Sequence, residues 1–464
     1  MHVTGSASDE AAGRTVAPPR KVTSTVVKSA TVAALGGLLF GFDTAVIAGT
    51  TRALSQIFSL TPKTLGLTVS SALWGTIVGA ACAGYAADRW GRRYSLRLTA
   101  ALYLISAVGC ALAWSWPALL IFRILGGVGI GGSSVLGPMY IAEISPAAWR
   151  GRLVGVFQFN LVIGILAAYL SNYVISLQGL GALEWRWQLG VAAVPSLLFF
   201  VLLFTIPRSP RWLVKMGRVD EARKVLTSIG EPDVEGELLA IGRSVAVENT
   251  DGSKNDKLFT RAHRFPIFLA MSIAGFSQFT GINAVLYYLN DIFTAAGFTK
   301  TSAGLQAVVI GVVNLLFTIL AMTLIDKAGR KVLLLVGTVG LTLSLSGIAF
   351  IFYTQQYKSL LVWLLIMFVG SFAFSLGAVT WVYISEVFPN AVRAKGQSLG
   401  TLTHWVVNAV VAGVFPALAA RSGATPFVFF AFMMVVLFAM VLTLYPETKN
   451  VALENVDSLV AAPE

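Results

Sequence analysis

Two ionisable residues interrupt apolar runs in this chain. Asp43 lies in Phe40-Gly41-Phe42-Asp43-Thr44, midway along the stretch 29–50, and Arg123 lies near the start of 118–140. A charge inside such sequence is costly and by default marks a functional position. A carboxylate beside a guanidinium stays ionised. Separated from it in apolar surroundings, the carboxylate gains affinity for a proton. Arginine does not deprotonate in practice, so Asp43 is the group that can carry the proton. The same pair can instead be a static ion pair that fixes helix register. A second set of residues is polar but uncharged: Gln158, Gln278, Asn283, Asn314 and Asn408, with His404, Trp381 and Trp405. Amides both donate and accept hydrogen bonds, and an indole offers a flat apolar face with one N–H. For an isolated amide in a membrane helix, bonding to a neighbouring helix is the ordinary role.

The elements that must position these groups are membrane helices. The chain is 56% hydrophobic and 12% charged, against about a quarter charged in soluble domains. A helix needs roughly 20 apolar residues to cross the hydrocarbon. Twelve stretches qualify: 29–50, 66–86, 97–116, 118–140, 153–176, 188–206, 266–290, 303–325, 332–353, 360–383, 398–419 and 425–445. The formal net charge of +12 does not point to nucleic acid, because of where it falls. With both termini in the cytoplasm, Arg52, Lys63, Arg186, Lys300, Lys358 and Arg421 lie in outside loops and Arg123 within a span. All the other Lys and Arg fall inside, which is the asymmetry of a polytopic membrane protein.

Residues 1–27 lack the apolar core of a signal peptide and read as a cytoplasmic tail. A first six-helix bundle then covers 28–206, a polar linker 207–264, a second bundle 265–446 and a tail 447–464. Within the linker, Ser209 to about Ile229 and Val234–Ala246 have helical periodicity. Asp251 to Asp256 reads as a turn. Cys82 and Cys110 fall in spans and read as buried free thiols. No metal-ligand spacing or nucleotide-binding glycine loop is present, so no cofactor is expected and an enzyme or primary pump is disfavoured.

The two bundles are copies. Asp88-Arg89-Trp90-Gly91-Arg92-Arg93 recurs 238 positions later as Asp326-Lys327-Ala328-Gly329-Arg330-Lys331. Glu143 with Arg150 recurs at an offset of 243 as Glu386 with Arg393, and Pro207 recurs 239 on as Pro446. Halves repeated in this way are related by a pseudo-twofold axis along the membrane normal, with a substrate site between them at mid-bilayer. Asp88, Arg92, Glu143, Arg150, Asp326, Arg330, Glu386 and Arg393 all fall at cytoplasmic helix ends. Their charges can pair across the interface between bundles, hold that side shut and break when it opens. The alternative is topogenic charge beside a tight turn. Partly exposed pairs contribute roughly 0–1 kcal/mol each, which suits a gate. Gly41 to Val46 also aligns with Gly281 to Val285, so Asp43 has the amide Asn283 as its counterpart. The first half then titrates while the second holds substrate.

At these residues the chain resembles the sugar porter family of the major facilitator superfamily. The matching segments are Gly84 to Arg93; Pro138 to Glu143 with Arg150-Gly151; Pro207 to Leu213; Gln278 to Asn283 with Tyr287-Tyr288; Asp326 to Lys331; Trp381 to Glu386; and Pro446 to Lys449. The resemblance implies twelve helices in two bundles, alternating access and a monosaccharide substrate. It also implies sugar contacts at Gln158, Gln278, Asn283, Asn314 and Trp381. Trp405 and Asn408 share a helix face and join them as further candidates, and Phe40, Tyr287 and Tyr288 are gating aromatics. Proton-coupled members carry Asp at the position of Asp43 and Arg at that of Arg123, whereas facilitative members commonly carry Asn for the Asp. Gln278 and Asn283 are separated by about 140° on a regular helix, so an unwound segment at Gly281 is needed for both to face one cavity.

Three departures stand out. Ser277-Gln278 replaces the usual Gln-Gln, and Gly377-Ala378 replaces Gly-Pro, which predicts a stiffer hinge in the tenth span. His404 stands where relatives have an amide, and it can donate to a sugar hydroxyl, titrate or simply bridge helices. The expected function is proton-coupled import of a hexose or pentose, by a monomer in a bacterial inner membrane. A facilitative sugar or inositol uniporter is the competing reading. A non-transporting sugar sensor would be expected to carry a long signalling tail, whereas about 18 residues follow Pro446.

Overall fold

The structure is a computed structural model that describes residues 22–250, 258–389 and 392–449, the side chains of 247–250 and 325–327 excepted. Among these residues, twelve helices are long and apolar enough to cross a membrane, from Ser24–Gly49 to Thr425–Thr443. Local sequence sets their starts. Thr61 accepts from Thr64 N and Ser115 from Ala118 N, each with proline at the head of the helix, and Thr299 caps Lys300–Ala328 in the same way. Such caps satisfy N–H groups that the helix itself cannot.

The duplication is visible in the backbone. Gly91 has φ 87 and ψ 153, and Gly329 has φ 88 and ψ 159. This region is essentially closed to residues with a Cβ, so each copy of the motif turns the chain sharply between two antiparallel spans. Small residues let spans touch inside a half. A Cβ on Gly75 or Gly79 would strike the backbone of Ile124 or Val128, and one on Gly127 or Gly131 that of Ala72 or Thr76. The second and fourth spans therefore pack backbone to backbone, as membrane helices with small interfaces do.

Between the halves, the second span meets the eleventh and the fifth meets the eighth. A Cβ on Gly66 would lie 1.8 Å from the Gly413 carbonyl oxygen. Gly66 and Gly413 lie toward the end of the bundle opposite the repeated motifs.

Several details differ from the sequence reading. The linker helix predicted over Ser209–Ile229 is two helices, Pro210–Lys215 and Val219–Ser228, because Gly217 turns the chain at φ 72. A third linker helix runs Val234–Thr250, and the turn expected at 251–256 lies outside the described residues. The sixth span begins earlier than expected, at Gly181. Its charged start, Glu184 and Arg186, dilutes the apolar signal, yet Glu184 is only 7% exposed. The tenth span breaks at Ser375, between helices Leu361–Phe374 and Leu376–Glu386, although it lacks the proline. A break therefore forms there without the proline: Ser375 Oγ donates to the Ser371 carbonyl at 2.5 Å and the helix restarts after it. Cys110 is buried as expected, but Cys82 is exposed on its span.

Candidate functional site

Asp43 and Arg123 line one small cavity in the first half, together with Tyr103, Ser106, Cys110 and Ser196. Its volume of ≈ 20 Å³ is room for about one water. The two residues do not form a direct ion pair. Arg123, 4% exposed, instead donates to main-chain carbonyls of the second span, Nε to Thr68 at 3.1 Å and Nη2 to Val69 at 3.5 Å. Asp43 makes no hydrogen bond among the described residues. The arginine is therefore anchored whether or not Asp43 is charged, and the carboxyl is left facing a pocket that can hydrate it. A static pair fixing register would need the contact that this geometry lacks.

The second half gathers its polar candidates around the seventh span. That span breaks at Gly281, whose φ of 79 is left-handed, between helices Arg264–Phe279 and Ile282–Tyr287. Thr280 Oγ1 accepts from Ile282 N across the break. The interruption brings Gln278 and Asn283 together, and Asn283 Nδ2 donates to Gln278 Oε1 at 2.8 Å. Gln278 Nε2 reaches Ser277 Oγ at 3.1 Å and the His404 ring at 3.1 Å. His404 packs on Trp381 with ring centroids 4.7 Å apart and on Trp405 at 5.3 Å. Trp405 in turn meets Phe40 of the other half at 5.6 Å. One amide–imidazole–indole cluster thus spans the seventh, tenth and eleventh spans and touches the first. Trp381 is 41% exposed despite lying deep in this network.

The remaining candidates divide. Gln158 is exposed and Asn314 half-buried, and neither has a hydrogen bond within the protein among the described residues. Both are unengaged polar groups, on the helices that meet across the seam. Asn408 is 1% exposed and its Nδ2 donates to Tyr287 Oη at 3.5 Å, a helix-to-helix bond. Tyr288 Oη donates to the Ala412 carbonyl at 3.0 Å, and its ring stacks on Phe415. Tyr287 and Tyr288 are both buried, so here they seal rather than line an open path. Asp291, one turn beyond Tyr288, was not singled out from the sequence. Its Oδ2 is buried without a partner among the described residues.

Among the described residues, the repeated charges pair inside each half and not across the seam. Arg92 Nε donates to Glu143 Oε1 at 2.9 Å and its Nη1 to Asp88 Oδ1 at 3.1 Å. Arg330 Nη2 donates to Glu386 Oε1 at 2.9 Å. Thr448 Oγ1 also donates to Glu386 Oε2, at 2.6 Å. Arg150 and Arg393 bond main-chain carbonyls, those of Ala142 and Phe388. The Asp326 side chain lies outside the described residues. Glu143 Oε2 and Arg393 Nη2 are buried without a partner among the described residues. Glu447 adds a clamp. Burial works against its charge, but N–H groups of Arg330, Lys449, Lys331 and Thr448 hold its carboxyl below the usual range. The first two N–H groups of the ninth span thereby gain an acceptor.

With twelve spans in two repeated halves and polar clusters between them, the fold is that of a major facilitator transporter. Residues 29–460 match the family described as "Sugar (and other) transporter". The arabinose-proton symporter of Bacillus subtilis (strain 168) is 38% identical over 94% of this chain and 95% of its own. The D-xylose-proton symporter of Escherichia coli (strain K12) is 37% identical over 92% and 94%. The inward-open xylose transporter XylE from E. coli superposes with a TM-score of 0.84 at 34% identity, covering 94% of this chain and 100% of that one. The same protein bound to 6-bromo-6-deoxy-D-glucose gives 0.76 at 35% identity, over 95% and 100%. The chain belongs to the sugar transporter family.

Proposed function

We infer that this protein imports a monosaccharide by proton symport through alternating access. The observation that carries this is the isolation of Asp43. An ionisable group in the interior of a span, facing a water-sized pocket and held apart from an independently anchored arginine, is the minimum machinery for taking and releasing a proton. Relatives named as arabinose– and xylose–proton symporters support the same coupling and make pentoses the first substrates to try. The cluster of Gln278, Asn283, His404, Trp381 and Trp405 suits a sugar: amides and imidazole for hydroxyls, indole for the ring face. Gln158 and Asn314 complete the site from the facing helices.

The conformation fits an inward-open state. The end opposite the motifs is closed by the Gly66–Gly413 approach, and the superposition is better with the inward-open relative. Glu143 Oε2 and Arg393 Nη2, buried without a partner among the described residues, can bond across the seam once the motif-bearing end closes. On this reading that end and both termini are cytoplasmic, in a bacterial inner membrane. The bundles take the boundaries 28–206 and 265–446, the pathway lies within a monomer, and the protein transports its substrate unchanged rather than acting as an enzyme.

A uniporter would leave Asp43 without a task. Uptake of labelled arabinose, xylose, galactose and glucose into proteoliposomes, with and without an inward proton gradient, tests the assignment. Accumulation above equilibrium is expected for at least one sugar. Gradient-independent equilibration would mean a uniporter.

A further inference from the structure

A charge pair crosses the seam at the closed end. Lys300 Nζ, at the start of the eighth span, lies 2.6 Å from Glu184 Oε2 at the start of the sixth. Glu184 is also held from its own half: Gln188 Nε2 donates to its Oε1 at 3.1 Å and lies 3.4 Å from the Asn172 carbonyl. Asn172 Nδ2 in turn donates to the Val46 carbonyl at 2.9 Å, at the end of the span that carries Asp43. Behind the ion pair lies a cavity of ≈ 10 Å³ between the halves. Asn172 and Gln188 line it from one side, and Asn290, Lys300 and Ala307 from the other. Asn172 Oδ1 and Asn290 Oδ1, one from each half, are both buried without a partner among the described residues.

The two partners differ in a way that suits repeated breaking. The Glu184 side chain is 9% exposed and that of Lys300 61%. When the halves part, the lysine has water to turn to. The glutamate keeps Gln188, which belongs to its own half and moves with it. Neither group is stranded, so the penalty of leaving a buried charge alone does not arise. A pair meant only to stabilise a static interface would gain nothing from this arrangement.

We propose that Glu184 and Lys300 form the outer latch of the transport cycle. They hold the halves together at this end while the substrate cavity faces the other way, and they release at each outward opening. The Asn172–Asn290 cavity is the seat of a bridging water that enters and leaves with the latch. This rests on the alternating-access reading. For a partly exposed pair the effect on the opening equilibrium is about two- to fivefold.

The test is cysteine labelling at Ala307, which lines the cavity and is 2% exposed. Ala307→Cys is placed in a Cys82→Ser/Cys110→Ser background and reconstituted in nanodiscs, where a soluble maleimide reaches both faces. Glu184→Gln and Lys300→Gln should each raise the labelling rate about two- to fivefold. The double variant should label no faster than either single one, and the swap Glu184→Lys with Lys300→Glu should return toward the parent rate. Thermal midpoints within a few degrees of the parent exclude misfolding as the cause. Equal rates in every variant, or a swap as fast as the single variants, would overturn the latch. Labelling reads opening alone, so a failure of sugar uptake would retire symport without altering this result.

Discussion

Gly66→Ala should stall the protein with its outer end open. A Cβ at Gly66 would sit 1.8 Å from the Gly413 carbonyl oxygen, where ordinary contact begins near 3.4 Å. The obstacle is backbone, so it cannot rotate away. The second and eleventh spans must separate by about 1.6 Å, the difference of those distances, or the seam must stay apart. Forcing one methyl into a packed contact costs about 1–3 kcal/mol, equivalent to roughly 5–150-fold in an equilibrium constant. That cost applies only to states in which this end is closed. The outward-facing state, where the two glycines are apart, is untouched, so the substitution acts on the conformational balance more than on folding. The assay is labelling of Ala307→Cys alongside sugar uptake. Labelling should rise by at least about fivefold and uptake should fall by a similar factor, while solubilised protein keeps its thermal midpoint within a few degrees. Parent-like labelling together with parent-like uptake would refute the claim that the Gly66–Gly413 contact closes the outer end.

Other consequences follow from the site. Asp43→Asn should abolish accumulation, which at 100 mV and one proton reaches about 2.3 kcal/mol or roughly fiftyfold, yet preserve counterflow exchange; loss of both would undermine the assignment. Gln278→Ala removes the hub that holds Asn283 and His404 and should weaken sugar binding by roughly 10- to 100-fold, read by tryptophan fluorescence. An alanine variant that binds sugar with the parent's affinity would count against it. Glu447 contributes stability that is fully present above its ordinary pKa of 4.5 and is lost as pH falls through its depressed folded value. Glu447→Gln should therefore flatten the acid limb of a thermal-midpoint profile taken from pH 6 to pH 3, and an unchanged limb would remove the clamp from the account.

Some of this architecture was legible in the chain because it is written in periodic or duplicated signals. The two copies of the Asp-x-x-Gly-Arg motif fixed where paired spans turn, and Gly91 and Gly329 adopt matching dihedrals. The five-residue spacing of Gln278 and Asn283 called for an interruption, and Gly281 supplies it. Other features were hidden because they depend on partners far away in sequence. Nothing near Glu184 announces that Lys300 will meet it, and its charge masked the start of the sixth span. The tenth span breaks at Ser375 with no proline there to announce it. That Arg92 pairs with Glu143 inside a half depends on how the second, third and fourth spans pack, which neighbouring residues in the sequence do not state. Likewise the gap between Asp43 and Arg123 could not be read from the sequence, although the residues themselves stand out in it.

The claim at the centre is that sugar and proton move together. Purified protein in lightly buffered proteoliposomes, given arabinose or xylose under a pH electrode with no imposed gradient, tests this directly. Sugar entry should carry protons inward and make the medium transiently alkaline, with the signal abolished by a protonophore and absent in Asp43→Asn. Sugar uptake by the parent protein with no pH change would contradict the account.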